Sequence, residues 1–131
     1  MKVLAILLCA ASGIGCTQSR QPLRQRIPNA EPAKYRQVRD GKDWKNPYLV
    51  VRRDGVEIIG VTSAEPAVPV DLVEGELERL PRSAWPYGLV VAVQDVGIMG
   101  AGDQPRVLAN REKLLAVLKR AGIAVELWPS A

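Results

Sequence analysis

Residues Tyr48 to Gly60 (YLVVRRDGVEIIG) constrain the fold more than any other stretch, because two apolar, β-branched runs meet at Asp54-Gly55. An Asp-Gly pair tolerates the positive φ angles of a two-residue type I′ turn, so this segment predicts an antiparallel hairpin. The simplest register opposes Arg53 with Val56, Arg52 with Glu57 and Val51 with Ile58. An exposed Arg52–Glu57 cross-strand pair contributes less than about 1 kcal/mol. The Arg52-Arg53 doublet is a candidate binding patch; the plainer reading is a solvated edge.

The remaining elements follow in alternation. After a Pro- and Ala-rich loop over 62–69, Asp71 and Glu74 have the spacing of a capping box. Val73, Leu77 and Leu80 form an apolar helical stripe that Pro81 ends, with Glu74, Glu76 and Glu78 facing solvent. Leu89 to Val93 (LVVAV) is uncharged throughout, as a strand covered on both faces requires. A second helix is expected within 106–121, starting after Pro105 or capped at Asn110, with Leu114, Leu115, Leu118 and Ala121 inward. Gly122 is placed to terminate it. Ile123 to Trp128 alternates as a closing strand, with Ile123, Val125 and Leu127 on one side. The expected fold over residues 47–131 is a small two-layer α+β domain of order β-β-α-β-α-β, a mixed sheet with two helices. The sequence contains no Phe, so Trp85, Tyr87 and Trp128 are expected to close the core around one end of the sheet; exposed together, they would instead form a binding surface.

The residue inventory narrows the chemistry. There is no His, and the two Cys, Cys9 and Cys16, fall within the first sixteen residues. The domain therefore has no thiol nucleophile, disulfide or zinc-ligand cluster of its own. Gly97, Gly100 and Gly102 precede the second helix but match neither GxGxxG nor a P-loop, Ser83 lacks a His or Lys context, and no cofactor is implied. A noncatalytic binding role is the leading expectation. The alternative is a small hydrolase or transferase using Asp95, after the central strand, and Asp103, at a helix entrance.

The amino terminus reads as an export segment. Lys2 is followed by the apolar run 3–11, too short to span about 30 Å of hydrocarbon. Gly13-Ile14-Gly15-Cys16 resembles the lipobox of bacterial lipoproteins, although Gly13 stands where Leu is usual. The resemblance implies cleavage after residue 15 and acylation of Cys16, with Thr17, rather than Asp, directing an outer-membrane or cell-surface destination facing the periplasm. The alternative is ordinary cleavage at a small-x-small site, giving a soluble periplasmic or secreted protein. Residues 16–46 read as a basic, flexible tether: from Arg20 to Arg53 ten basic residues face three acidic ones, against seven and eleven from Asp54 onward. Such an arm is either a solvated spacer or is drawn to an anionic lipid surface or acidic polymer of the cell envelope. Its only aromatics are Tyr35 and Trp44, and no nucleic-acid partner is expected of an exported chain.

Asp54-Gly55 in a hairpin, Leu89 to Val93 as a central strand and Ala121-Gly122-Ile123 at the last turn together resemble, in element order, the periplasmic domain of the ExbD/TolR-type transport accessory proteins. That resemblance implies an envelope protein or a multimeric transport assembly as partner. The transmembrane helix and its proton-coupling Asp are absent from this sequence, so the motor role does not carry over. A homodimer paired through a sheet edge, at 56–61 or 123–128, is the third reading.

Overall fold

In the computed structural model, residues 21–59, 67–95 and 104–128 are described. They form a small α+β domain: a four-stranded mixed sheet with helices packed on it. The strands are β1 (Tyr48–Arg52), β2 (Gly55–Ile59), β3 (Val90–Asp95) and β4 (Ala124–Trp128), in the order β2-β1-β3-β4. β1 and β2 are antiparallel, while β3 runs parallel to both β1 and β4. The helices are α1 (Leu23–Arg26, a single turn), α2 (Val73–Glu78) and α3 (Gln104–Arg120).

The hairpin forms in a register two residues from the simple one: Val51 opposes Val56 and Arg52 opposes Gly55. Side chains alternate with period two, so this shift leaves every residue on its expected face. Leu49, Val51, Val56 and Ile58 are all fully buried. Arg52 still reaches Glu57, now on the diagonal, through Nε at 2.8 Å and through Nη2. The shift also changes the role of Gly55. It lies at φ 146°, beneath Val68, and a Cβ there would come within 2.3 Å of the Val68 carbonyl oxygen. Val56 and Val68 exchange backbone hydrogen bonds of 2.8 and 2.7 Å. The glycine therefore admits a close strand crossing, and the turn residues are Arg53 and Asp54.

β3 is buried from Val90 to Val93, as its uninterrupted apolar sequence requires. Leu89, Val91 and Val93 pack on the helix side, and Val90 and Ala92 on the other. From α3, Val107, Leu114 and Leu118 enter the helix-side core, spaced for one helical stripe. α3 ends in a Schellman arrangement, with Gly122 N–H donating to the Lys119 carbonyl (3.1 Å) and Ile123 N–H to that of Leu118 (2.9 Å). Gly122 has φ 78°, the conformation that motif needs. Of the alternating residues in the closing strand, Ile123 and Val125 pack on the core. Leu127, at the far end of this outer strand, is 53% exposed.

Two local expectations are corrected. The capping box at Asp71 does not form: a 3₁₀ turn, Val70–Leu72, runs directly into α2, with Pro69 ahead of it and no side-chain cap. Starting the helical run at Val70 buries that residue and leaves Asp71 in the first turn, where its charge suits the helix dipole. Asn110, a candidate cap for α3, lies inside the helix, and its Nδ2 donates to the Arg52 and Arg53 carbonyls at 2.8 and 3.0 Å.

The largest correction concerns residues 21–46, expected to be part of a tether. Leu23 and Ile27 are buried in the helix-side core, and Tyr35 and Trp44 in a second cluster on the opposite face. Asn29 bridges to Leu89, and the Pro28 carbonyl accepts the Leu89 N–H at 2.9 Å. The segment is polar on average, but its few large apolar side chains are each paired with a site on the sheet. Burying such a side chain contributes about 1.5–3 kcal/mol, and hydrogen bonds to the sheet and its flanks add to this in holding the segment. The helix-free face of the sheet is thereby covered by a layer of irregular chain.

Candidate functional site

This irregular layer is held by its own hydrogen bonds. Asn46 is buried just before β1 begins. Its Nδ2 donates to the carbonyls of Gly88 (2.7 Å) and Val90 (2.8 Å), and its Oδ1 accepts the Tyr87 N–H at 2.8 Å. Trp44 Nε1 donates to the Pro47 carbonyl at 3.0 Å. The Tyr87 hydroxyl accepts from Lys45 N–H and donates to the Asp43 carbonyl, both at 3.2 Å. Around these bonds the rings of Tyr35, Trp44 and Tyr87 pack with centroids 5.0–5.6 Å apart. Trp128 continues the cluster edge-on to Trp44 (5.5 Å) and to Tyr48 (5.1 Å). Such edge-to-face pairs are favourable beyond their area burial.

Where this cluster reaches the surface, a cleft of about 630 Å³ opens between the 38–41 loop and the carboxyl ends of β3 and β4. Its walls include Arg39, Asp40, Tyr48, Gln94, Glu126 and Trp128. The Tyr48 hydroxyl donates to Gln94 Oε1 across the cleft. Arg39 is turned along its own loop to the Arg36 carbonyl (2.8 Å), and Asp40 accepts the Lys42 N–H at 3.0 Å. Burial, reinforced by the negative charge of Asp40, raises the Tyr48 phenol above its ordinary pKa; burial and Glu126 do the same to Tyr35. Both phenols are protonated at neutral pH, and the Tyr48 hydroxyl serves as a hydrogen-bond donor to Gln94. The cleft thus offers ring edges, an amide and two carboxylates to a polar ligand.

The residues singled out by sequence are dispersed. Arg52 is an exposed partner of Glu57. Arg53 lies in the hairpin turn, beside a depression of about 230 Å³ where Lys113, Asp54 and Asp71 also lie; the opposite charges there do not define an anion site. Tyr87 and Trp128 pack in one cluster, and Trp85 does not join them. Trp85 is buried in the helix-side core, whereas Tyr87 belongs to the opposite face, because the turn over residues 86–88 breaks the period-two alternation that would put residues two apart on one side. Asp95, at the end of β3, pairs with Arg111 of α3 at 3.8 Å. Asp103 and Cys16 lie outside the described residues, as does the glycine loop. Trp128 alone among these residues lines the cleft.

Tyr48, Gln94, Glu126 and Asp40 were missed. The signal for the first three was strand alternation: with β1, β3 and β4 parallel and in register, even-numbered positions share the helix-free face. Asp40 has no comparable signal, since the chain around it is irregular. Among the described residues no helix is long and apolar enough to cross a membrane. No family model, curated protein or solved structure matches the chain.

Proposed function

We propose that this chain is an exported envelope protein, anchored through an acylated Cys16, that binds a protein or polymer partner in the cleft beside Trp128 and performs no chemistry on it. The observation that carries the binding reading is the cleft itself. It joins aromatic edges, the Tyr48–Gln94 pair and the carboxylates of Asp40 and Glu126 at one surface opening. Those groups recognise a ligand by hydrogen bonds and by attraction to a basic group. Of the two carboxylates that the hydrolase reading would use, Asp95 pairs with Arg111 and Asp103 lies outside the described residues. The anchoring half rests on the lipobox-like residues 13–16.

The test is cross-linking and recovery from intact envelopes with the wild-type protein, Trp128→Ala and Cys16→Ser. A specific partner recovered with the wild type and reduced by about tenfold, a loss of about 1.4 kcal/mol, with Trp128→Ala supports the cleft. Cys16→Ser is expected to move the protein from the membrane to the soluble fraction. Equal recovery with Trp128→Ala refutes the cleft as the binding site, and an unchanged distribution of Cys16→Ser refutes the anchor.

A further inference from the structure

The packing of residues 21–29 fixes where an anchor at Cys16 would attach to the domain, and this has a consequence for orientation. Leu23 is 3% exposed, so the chain is held there, only seven residues after Cys16. Seven residues reach at most about 25 Å when fully extended. The tether expected from sequence ran to residue 46, and most of that length is folded into the domain.

The attachment point lies at one end of the sheet. Arg24 packs beside Gly122, where a Cβ would sit 3.7 Å from Arg24 Cδ. Gly122 ends α3 and leads into Ala124 at the start of β4, level with Val90 at the start of β3. Arg26 Nη2 donates to the Glu78 carbonyl at 2.6 Å, bringing the end of α2 to the same place. Exposed cations collect here: Arg24, Lys119 and Arg120 make no ion pair among the described residues. Arg79 follows Glu78 and pairs with Glu76 at 3.2 Å; Glu76 and Glu78 are the nearby acids. The hairpin turn lies at the opposite end. Val51 is level with Asp95, five residues along β3 from Val90, about 17 Å away.

We infer that the end of the domain formed by Arg24, Lys119, Arg120 and Gly122 rests on the anionic headgroups of the membrane that holds Cys16, with the hairpin turn directed away. This rests on the anchoring reading above and extends it to an orientation. For the hairpin end to touch the bilayer instead, about 17 Å of the link's span of at most about 25 Å would have to run along the side of the domain. Charge and chain length thus select the same face. Trp128 and Gln94, at the carboxyl ends of their strands, would then open toward the space beyond the membrane, where a partner can reach them.

The full chain is produced in an exporting bacterial host, its intact mass is measured, and the mature protein is reconstituted into vesicles of phosphatidylcholine with or without phosphatidylglycerol. With Cys9 removed and Cys16 acylated, Ala124→Cys or Asp54→Cys supplies a single labelling site at either end; both positions are exposed. A headgroup-attached quencher should quench the label at 124 several-fold more than that at 54 on anionic vesicles. The difference should shrink in phosphatidylcholine, at high salt and in the triple variant Arg24→Glu, Lys119→Glu, Arg120→Glu, whose circular dichroism should match that of the parent. Equal quenching at both positions of the acylated protein overturns the orientation while leaving the anchor standing. A difference unaffected by lipid charge, salt and the triple variant overturns the headgroup contact. An unmodified Cys16 overturns the anchor and this inference with it.

Discussion

Replacing Asn46 tests whether residues before β1 belong to the cooperative fold. Asn46 is 6% exposed and makes three hydrogen bonds to the chain entering β3. Asn46→Ala leaves the Tyr87 N–H without its acceptor, at about 1–3 kcal/mol for a buried orphan donor. It also removes one bond each from the Gly88 and Val90 carbonyls, at about 0.5–1.5 kcal/mol apiece. The Gly88 carbonyl keeps the Val90 N–H at 2.9 Å, which places its loss at the lower end. The expected destabilisation is about 3–4 kcal/mol, a large part of the roughly 5–15 kcal/mol available to a small domain. Urea unfolding followed by tryptophan fluorescence and far-ultraviolet circular dichroism should show a lower midpoint with coincident transitions and an unchanged m-value. Asn46→Asp retains an acceptor for Tyr87 but has no donor when ionised, and sets a buried carboxylate against two carbonyl oxygens, so it should be no more stable than Asn46→Ala. A loss below about 1 kcal/mol in both variants would refute the reasoning and return residues 30–46 to the status of an independent arm.

Other outcomes follow from the same packing. Leu23→Ala should cost about 2–4 kcal/mol in urea unfolding, as truncation of a buried leucine does; a value near zero would mean that α1 is not part of the core. Gly55→Ala should destabilise by more than about 1 kcal/mol, since its Cβ would lie 2.3 Å from the Val68 carbonyl oxygen; retained stability would show that the β2–Val68 crossing yields easily. In an absorbance titration, Tyr35 and Tyr48 should ionise above the ordinary value of 10.0. A raised phenol pKa means that its stabilising contribution is full below the unfolded value and is lost as pH rises through the folded one. Stability should therefore decline above about pH 10 as these phenols ionise, and Asp40→Asn should bring the Tyr48 transition down.

Several elements were legible because their signals are local. The hairpin follows from β-branched runs around Asp54-Gly55, and α3 from Leu114 and Leu118 one turn apart with Gly122 after them. β3 follows from five apolar residues without a charge. These features fix the α+β class and element order, since each depends on periodicity or backbone preference within a few residues. The cleft was only partly legible. Trp128 stood out as a large ring near a strand end, but its neighbours Tyr48, Gln94 and Glu126 become neighbours only through parallel strand pairing.

What the sequence alone determined is the set of elements and the face each presents, because both arise from repeats of about two or 3.6 residues along the chain. Tertiary structure decided the hairpin register, the start of α2 and the docking of residues 21–46 through Leu23, Ile27, Tyr35, Trp44 and Asn46. Each depends on a partner distant in the chain: Val68 over Gly55, the core around Val70, and Tyr87 with Gly88 around Asn46. A polar segment with a few isolated aromatic residues has no internal pattern announcing burial. Its place was set by the hydrogen-bonding groups and apolar surface that the sheet left uncovered, and those exist only once the sheet has formed.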